Sequence, residues 1–392
     1  MTKLFYKIIA FFQNFLRGGE DNDVLDGSLS LRPKEVENVA AQRVPYEDGL
    51  EDNKRPLDKK KELLEIKSHS YYKLRDSISK YALEYLNKGN ASFDNNDYLE
   101  AIKSYDKAID FNPNLEEAYH QRGWAKYCLG DYWWAIDDYN KAIEINPKAE
   151  YSYNNRGVSK QKLNDVEGAL EDYNKAIEIN SYCFLAIVNR GRLKNQEGDI
   201  KGAIKDFSSV IERDSNYLDA YLERGEILLM QGHYENALVD FTKAIKINPQ
   251  NSTGYLNRGL ILCKLKNYVD SIDDYSKAIS IDNTSHTAYN NRGYTRLFIG
   301  SYEAAIKDFS LAIEINPFFA YSYNNRGFAK YKLGKFKEGL MDCKYSLKLD
   351  KKNSYVHYNL GLLYKALNQL KRAQSHFDKA KSLDYDGPIE RT

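Results

Sequence analysis

A glycine recurs at a constant interval of 34 residues along most of this chain. The unbroken series is Gly89, Gly123, Gly157, Gly191, Gly225, Gly259, Gly293, Gly327 and Gly361. A fixed period of this length is typical of a repeat architecture, in which each repeat is one supersecondary unit that packs on its neighbours. We therefore predict nine repeats over residues 82–387, and number the positions so that this glycine is position 8.

Further columns predict two packed helices in every repeat. Position 20 is Ala, Ser or Gly throughout, position 24 is Tyr or Phe in eight repeats, and position 27 is Ala in seven. Small residues at positions 8 and 20 let two helices approach closely, and the aromatic ring fills the space beside them. Position 15 is Gly or Asn in eight repeats, with Lys266 the exception. These residue types favour a left-handed helix C-terminus, so each repeat is predicted to be helix A, a tight turn, helix B and a second turn.

These columns resemble the tetratricopeptide repeat family. One copy shows the pattern in Tyr289, Gly293, Tyr302, Ala305, Phe309, Ala312 and Pro317. The resemblance implies an all-α, right-handed superhelical solenoid of nine helix-turn-helix repeats. It also implies that helices A line a concave groove in which family members mostly bind proteins or peptides. The sequence departs from the family pattern at position 7, where the family usually has Leu.

Position 7 is arginine and position 23 is aspartate in the same seven repeats. The two positions are equally far from the turn at position 15, so we predict an ion pair within each repeat, in a planar guanidinium geometry. Pairing between neighbouring repeats would leave Arg122 and Asp342 without partners. A ligand-binding arginine column is the alternative to this structural ladder. The predicted pairs are Arg122–Asp138, Arg156–Asp172, Arg190–Asp206, Arg224–Asp240, Arg258–Asp274, Arg292–Asp308 and Arg326–Asp342.

Position 6 is asparagine in most repeats and is the predicted contact surface for a partner. A row of carboxamides can donate to and accept from the backbone of an extended peptide. It resembles the asparagine ladder of O-linked N-acetylglucosamine transferases, although asparagine is also common at this position in the family, and both interpretations stay open. Aromatic residues flank the row. The predicted groove residues are Asn155, Asn189, Asn257, Asn291, Asn325, Asn359, Tyr127, Tyr151, Tyr294 and Tyr331.

Several other classes of function are disfavoured. The 57 Lys and Arg residues balance 56 Asp and Glu residues, which argues against nucleic acid as a partner. No phosphate-binding loop or hydrolase motif occurs, so we predict no enzyme, cofactor or catalytic residue. His357 and His376 are predicted to meet in repeat nine without a third metal ligand. The lysines that the family uses to bind an acidic C-terminus are missing from position 5. The four cysteines show no metal or disulfide spacing, which indicates free thiols and a cytoplasmic location.

The two ends of the chain differ from the repeats. Residues 1–18 combine an apolar helical stripe with Lys3, Lys7 and Arg17, which predicts a cationic amphipathic helix. This segment is compatible with peripheral membrane contact, with docking on the array or a partner, or with a poor secretory signal. Residues 19–58 are predicted to be an acidic disordered linker, 59–81 a capping helix and 388–392 a tail.

The sequence therefore predicts a non-catalytic scaffold that binds partner proteins or extended peptides. The alternative is a self-assembling or membrane-surface organising scaffold that is anchored by the N-terminal helix.

Overall fold

The computed structural model describes residues 79–385, in which eighteen α-helices and no strands occur. Odd-numbered helices are helices A of successive repeats and even-numbered helices are helices B. The bounds are 79–94 (α1), Tyr98–Phe111 (α2), Glu116–Cys128 (α3), Tyr132–Ile145 (α4), Glu150–Lys162 (α5), Val166–Ile179 (α6), Phe184–Gln196 (α7), Ile200–Arg213 (α8), Leu218–Met230 (α9), Tyr234–Ile247 (α10), Ser252–Lys264 (α11), Tyr268–Ile281 (α12), His286–Phe298 (α13), Tyr302–Ile315 (α14), Ala320–Lys332 (α15), Phe336–Leu349 (α16), Ser354–Ala366 (α17) and Leu370–Ser382 (α18).

The helices form two compact units, one ending at Asp165 and the other beginning at Val166. In each unit, helix A packs on helix B of its own repeat and of the preceding repeat. Successive helices A also touch one another: α3 with α5 in the first unit, and α7 through α17 in the second. Among the described residues, successive helices B have no comparable contact. The predicted all-α solenoid of nine helix-turn-helix repeats is confirmed.

The periodic glycine allows helix A to touch the aromatic ring of helix B. A methyl group added at seven of these glycines would lie only 2.4–3.0 Å from the ring at position 24. All of those rings except Phe377 are fully buried, as are the alanines at position 20. Because the gap is smaller than a methyl group, the glycine column sets the distance between the two helices of each repeat.

Position 15 has a left-handed backbone in all nine described repeats. Its φ angle lies between +59° and +88°, and the glycines at this position have open space where a side chain would project. Lys266 adopts φ +64° although lysine disfavours this region. The predicted turn chemistry is therefore confirmed, and the turn geometry is kept even where the residue type is unfavourable.

The described residues include only part of the predicted terminal segments. Helix α1 already contains residues 79–81, so the predicted boundary between capping helix and first repeat lies inside a helix. The amphipathic segment 1–18, the linker 19–58, residues 59–78 of the capping helix and the tail 388–392 lie outside the described residues. No described helix has the length and apolarity needed to cross a bilayer.

Replacing Lys266 by glycine is expected to stabilise the protein by about 0.5–1 kcal/mol, because the left-handed strain of a side chain is removed. Urea unfolding followed by circular dichroism measures the change. Gly300→Ala is the matched control, and it is expected to destabilise by a similar amount because Gly300 has φ +73°. A lower stability of Lys266→Gly would contradict the strain argument.

Candidate functional site

In six repeats the structure places the arginine of position 7 against the aspartate of position 23. Nε donates to one carboxylate oxygen and Nη2 to the other, at 2.6–3.1 Å. This side-on fork is the planar geometry that guanidinium and carboxylate favour. Arg156 and Asp172 belong to different units, so their pairing stays a prediction.

The same arginine also reaches the preceding repeat through Nη1. This atom donates to position 25 of the preceding helix B: to Asp106 from Arg122, to Asn140 from Arg156 and to Ser208 from Arg224, at 2.5, 2.7 and 2.9 Å. Similar contacts join Arg190 to Asn174, Arg292 to Ser276 and Arg326 to Ser310. Each of these arginines therefore joins two repeats.

Sequence reasoning missed this acceptor column, although a signal was present. Position 25 is Asp, Asn, Ser or Thr in repeats one to seven, each of which precedes an arginine-bearing repeat. It becomes Lys344 in repeat eight, whose successor carries Leu360 in place of arginine. The residue types at positions 7 and 23 of a repeat and at position 25 of the preceding repeat therefore change together.

A second cation at position 11 reaches the same aspartate in four described repeats. Lys126, Lys194, Arg296 and Lys330 lie 2.5–2.9 Å from Asp138, Asp206, Asp308 and Asp342, respectively. In repeats five and six, position 11 is Leu228 and Leu262, and the arginine is the only cation of the described salt bridge.

The series of arginine–aspartate pairs, which we call the ladder, lies in the interior of the repeats. The side chain of Asp240 is 2% exposed and that of Arg224 is 23% exposed, and the other described pairs are similar. The hydrogen bond to Asp240 raises the pKa of Arg224 above its already high ordinary value. In six repeats the guanidinium also lies 5.2–6.0 Å from the ring of a tyrosine at position 4. These contacts use the arginine within the array and favour the structural ladder over a ligand site.

The asparagines of position 6 bond in several repeats to the preceding repeat. Asn325 Nδ2 donates to Asn290 Oδ1 at 3.2 Å, and Asn359 Nδ2 donates to Asn324 Oδ1 at 2.9 Å. Asn257 makes a bond of the same kind to Glu226 at 3.2 Å. The carboxamide row is therefore engaged in part by contacts between repeats, which the sequence did not predict.

Where position 5 is polar, it is the partner in this network. The buried Asn290 accepts hydrogen bonds from Asn325 and from Ser322 Oγ, and donates through Nδ2 to Asn291 at 3.3 Å. In the first unit, His120 takes the place of Asn290. Its Nε2 accepts from Asn155 Nδ2 at 3.5 Å, so its Nδ1 carries the proton and donates to Ser152 Oγ at 2.8 Å.

The predicted aromatic groove residues differ in exposure. Tyr151 and Tyr294 are exposed, whereas Tyr127 and Tyr331 are half-buried against neighbouring rings. Tyr294 packs edge-on against Phe298 at 5.1 Å, and Phe298 stacks on Tyr268 at the same distance. Phe298 lies at position 13 and is 52% exposed, and it was not among the predicted groove residues.

Asn359 is a correction to the predicted groove. Its side chain is buried, and its Nδ2 is bonded to Asn324. The ring of Tyr385, which follows the last helix, stacks on the neighbouring Tyr358 at 4.4 Å. Asn359 therefore serves packing in repeat nine. Asn155, Asn189, Asn257, Asn291 and Asn325 are half-buried.

Models of the tetratricopeptide repeat match residues 116–149, 150–183, 218–251 and 354–386, and one described as TPR repeat matches 89–130 and 299–334. The chain belongs to the tetratricopeptide repeat (TPR) family.

Solved TPR structures resemble this chain at low sequence identity. A tetratricopeptide repeat protein from Parabacteroides merdae is 19% identical over 63% of this chain and 98% of its own, with a TM-score of 0.47. YrrB, a TPR protein with an unusual peptide-binding site, is 22% identical over 48% and 96%, with a TM-score of 0.42. Yeast Tom70 is 17% identical over 79% and 77%, with a TM-score of 0.40. No curated protein sequence matches this chain.

The described part of this TPR chain contains no group of three side chains suited to a metal ion. His357 and His376 do meet, with their Nδ1 atoms 3.0 Å apart, so one imidazole donates to the other. Burial lowers the pKa of both histidines. The cysteines of the array are free thiols, two of them buried.

Replacing the ladder arginine by leucine is expected to lower the free energy of unfolding by different amounts in two repeats. Arg224→Leu leaves the buried Asp240 without a cation and is expected to cost about 3–5 kcal/mol. Arg190→Leu leaves Asp206 paired with Lys194 at 2.9 Å, so we expect roughly half that cost. Urea unfolding of both variants measures the difference. Equal costs would show that the second cation does not stabilise the carboxylate.

The half-buried His120 is expected to make the stability of the fold depend on pH. Burial lowers the pKa of His120 to about 4, whereas an unfolded histidine titrates near 6.5. The neutral form therefore stabilises the fold fully above pH 6.5, and this contribution is lost as the pH falls from 6.5 toward 4. Since other TPR repeats of the chain have asparagine at this position, His120→Asn is a matched replacement.

Relative to His120→Asn, the wild-type protein is expected to lose about 1–2 kcal/mol of unfolding free energy between pH 7.5 and pH 5. Urea unfolding of both proteins at the two pH values measures this. Parallel pH profiles would exclude a His120 that stays neutral in the fold.

Proposed function

We propose that this chain is a non-catalytic scaffold that binds partner proteins or extended peptides on the face formed by helices A. The observation that carries the proposal is a surface in repeats seven and eight, which we call the aromatic face. It joins accessible rings to open carboxamide atoms on adjacent helices A. Its residues are Asn291, Tyr294, Phe298, Asn325 and Phe328.

The rings of the aromatic face are held in place before any partner arrives. Tyr294 is 45% exposed, and its contact with Phe298 fixes its orientation. Lys332 lies 5.3 Å above the ring of Phe328. Aromatic side chains that are already ordered lose little conformational entropy on binding, which is why they dominate many protein interfaces.

Two carboxamide atoms remain available between these rings. Asn291 Oδ1 accepts from Asn290, which leaves Asn291 Nδ2 as a donor. Asn325 Nδ2 donates to Asn290, which leaves Asn325 Oδ1 as an acceptor. A donor and an acceptor on adjacent repeats match the alternating N–H and C=O groups of an extended peptide backbone. This combination supports binding through the backbone, with the aromatic rings contacting the side chains.

We also infer that the scaffold catalyses no reaction. TPR repeats are generally an interaction fold without catalytic chemistry, and we assign no cofactor or reaction to this chain. We place the protein in the cytoplasm because of its free thiols, and exclude nucleic acid as a partner because its charge is balanced.

Selection from a displayed library of random 15-residue peptides tests the proposal. Peptides that bind the wild-type chain are expected to lose about tenfold or more in affinity for Tyr294→Ala/Phe298→Ala, because two interface rings are removed. Asn291→Ala/Asn325→Ala is expected to weaken unrelated peptides by a similar factor, since backbone contacts do not depend on sequence.

Phe318→Ala is the matched control, because Phe318 is an exposed ring in the turn after helix α14. Its affinity for the selected peptides should equal that of the wild type. Circular dichroism of every variant checks that the array is folded. Peptides that bind Tyr294→Ala/Phe298→Ala as tightly as the wild type would place the binding surface elsewhere.

A further inference from the structure

Several exposed apolar side chains lie in the first two repeats, and four of them lie in or beside the turns between helix A and helix B. We call these four the N-terminal surface: Leu99, Leu129, Trp133 and Trp134. Both tryptophans are more than 60% exposed. Soluble proteins seldom expose large apolar residues in a group unless something binds there.

The fold brings these residues to one end of the helices. Leu99 lies at the start of α2, and Trp133 and Trp134 lie at the start of α4. Leu129 follows the end of α3, which packs on both of these helices. Ring contacts of Phe93 with Tyr98 and with Trp124, both at 5.2 Å, and of Tyr127 with Tyr132 at 5.3 Å join the turns at this end. The four residues therefore belong to one edge of the first unit.

The N-terminal surface breaks the pattern of the array. Position 18 carries a charge in six of the nine repeats, and the exceptions are Leu99, Trp133 and Val269. Position 19 has a large apolar residue only at Trp134. Because Leu99, Trp133 and Trp134 are exposed to solvent, packing within the array does not require apolar residues there.

Four carboxylates adjoin the N-terminal surface in sequence, and the lysines beside it form salt bridges with other carboxylates. Asp94 and Asp97 precede Leu99, Asp131 precedes Trp133, and Asp137 follows one helical turn later. All four are exposed, and none forms a salt bridge with a described residue. An apolar centre with an acidic rim favours an apolar partner that carries positive charge.

We propose that residues 1–18 of the same chain bind the N-terminal surface. Their sequence places Leu4, Phe5, Ile8, Ile9, Phe11, Phe12, Phe15 and Leu16 on one stripe. The segment carries Lys3, Lys7 and Arg17 and no Asp or Glu, so it is complementary to the acidic rim. The segment is therefore apolar like the centre of the surface and opposite in charge to its rim.

The connecting chain is long enough for this contact. Residues 19–78 span up to about 200 Å at roughly 3.3 Å per residue. The described helix α1 separates residue 79 from the turn before Leu99 by only about 24 Å, at 1.5 Å per residue. Since the two partners are tethered, their effective concentration is high, and binding is expected within one molecule.

The acidic rim argues against two other occupants. A second copy of the N-terminal surface would bring like charges together, and an anionic lipid surface would be repelled by the same carboxylates. The cationic segment is the occupant that the observed charges favour.

The tryptophans provide a direct reporter of binding. The chain has three tryptophans, all in repeat two, and Trp124→Phe leaves only Trp133 and Trp134 of the N-terminal surface. In this full-length background, Ile8→Asp/Phe12→Asp places charges on the apolar stripe. Gln13→Asp/Asn14→Asp adds the same charge off the stripe and is the matched control.

Acrylamide quenching of tryptophan fluorescence is expected to increase about twofold in Ile8→Asp/Phe12→Asp, because uncovering one face of an indole roughly doubles its accessible area. The emission should move to longer wavelength. The Gln13→Asp/Asn14→Asp control should increase quenching less than Ile8→Asp/Phe12→Asp, because it changes the charge of the segment by the same amount but leaves the apolar stripe intact. Dilution over a hundredfold range should leave the signal unchanged.

Equal quenching in all three proteins would overturn the proposal. A signal that falls on dilution would also overturn it and assign the contact to a second copy. Vesicles of phosphatidylserine are the third arm. If they bind residues 1–18 while quenching in their absence is equal in all proteins, the occupant of the segment is a lipid surface. Unchanged thermal unfolding of the variants shows that the repeats themselves remain folded.

Discussion

The order of the repeats depends on the hydrogen bonds of the arginine at position 7. Its fork holds an aspartate 16 residues later in the same repeat, and its third nitrogen reaches an acceptor 16 residues earlier in the preceding one. An insertion in either connecting turn would rotate one partner by about 100° around its helix. The period of 34 residues is therefore required by side-chain geometry as well as by the close packing of glycine against aromatic rings.

The ladder is better understood as a device for specificity than as a source of stability. Withdrawing a carboxylate and a guanidinium from water costs several kcal/mol, and their attraction offsets this cost only in good geometry. Repeats that are nearly identical in their apolar columns would otherwise pack in more than one register. Because a buried aspartate that lacks its arginine is strongly disfavoured, we expect the ladder to favour the register that pairs every member. The first and last of the nine repeats lack the pair.

Residues that repeat by type were predictable from the sequence, and residues that share only a hydrogen-bonding property were not. Glycine at position 8, the left-handed turn and the pairing of Arg224 with Asp240 followed from fixed columns. The acceptors at position 25 were missed because Asp, Asn and Ser do not look like one column. Asn359 is buried in repeat nine, where the ring of Tyr385, beyond the last helix and outside the repeat columns, stacks on the neighbouring Tyr358. Phe298 was recognised as part of the aromatic face only from its contact with Tyr294 in the structure.

Helix A uses some of its positions for contacts within the array and leaves others exposed. Position 7 faces the ladder and position 6 bonds to neighbouring repeats, so these two columns vary little. Position 9 lies outside the ladder and ranges from Trp124 through Arg192 and Glu226 to Tyr294. In repeat four it joins a charged chain, in which Arg192 contacts Glu223 at 2.6 Å and a second carboxylate at 3.3 Å. In repeat seven it is an exposed ring. Because the ladder contacts are made elsewhere on the helix, the chemistry of position 9 can differ in each repeat without disturbing the stack. The array can therefore present charged and aromatic segments on one repeated framework.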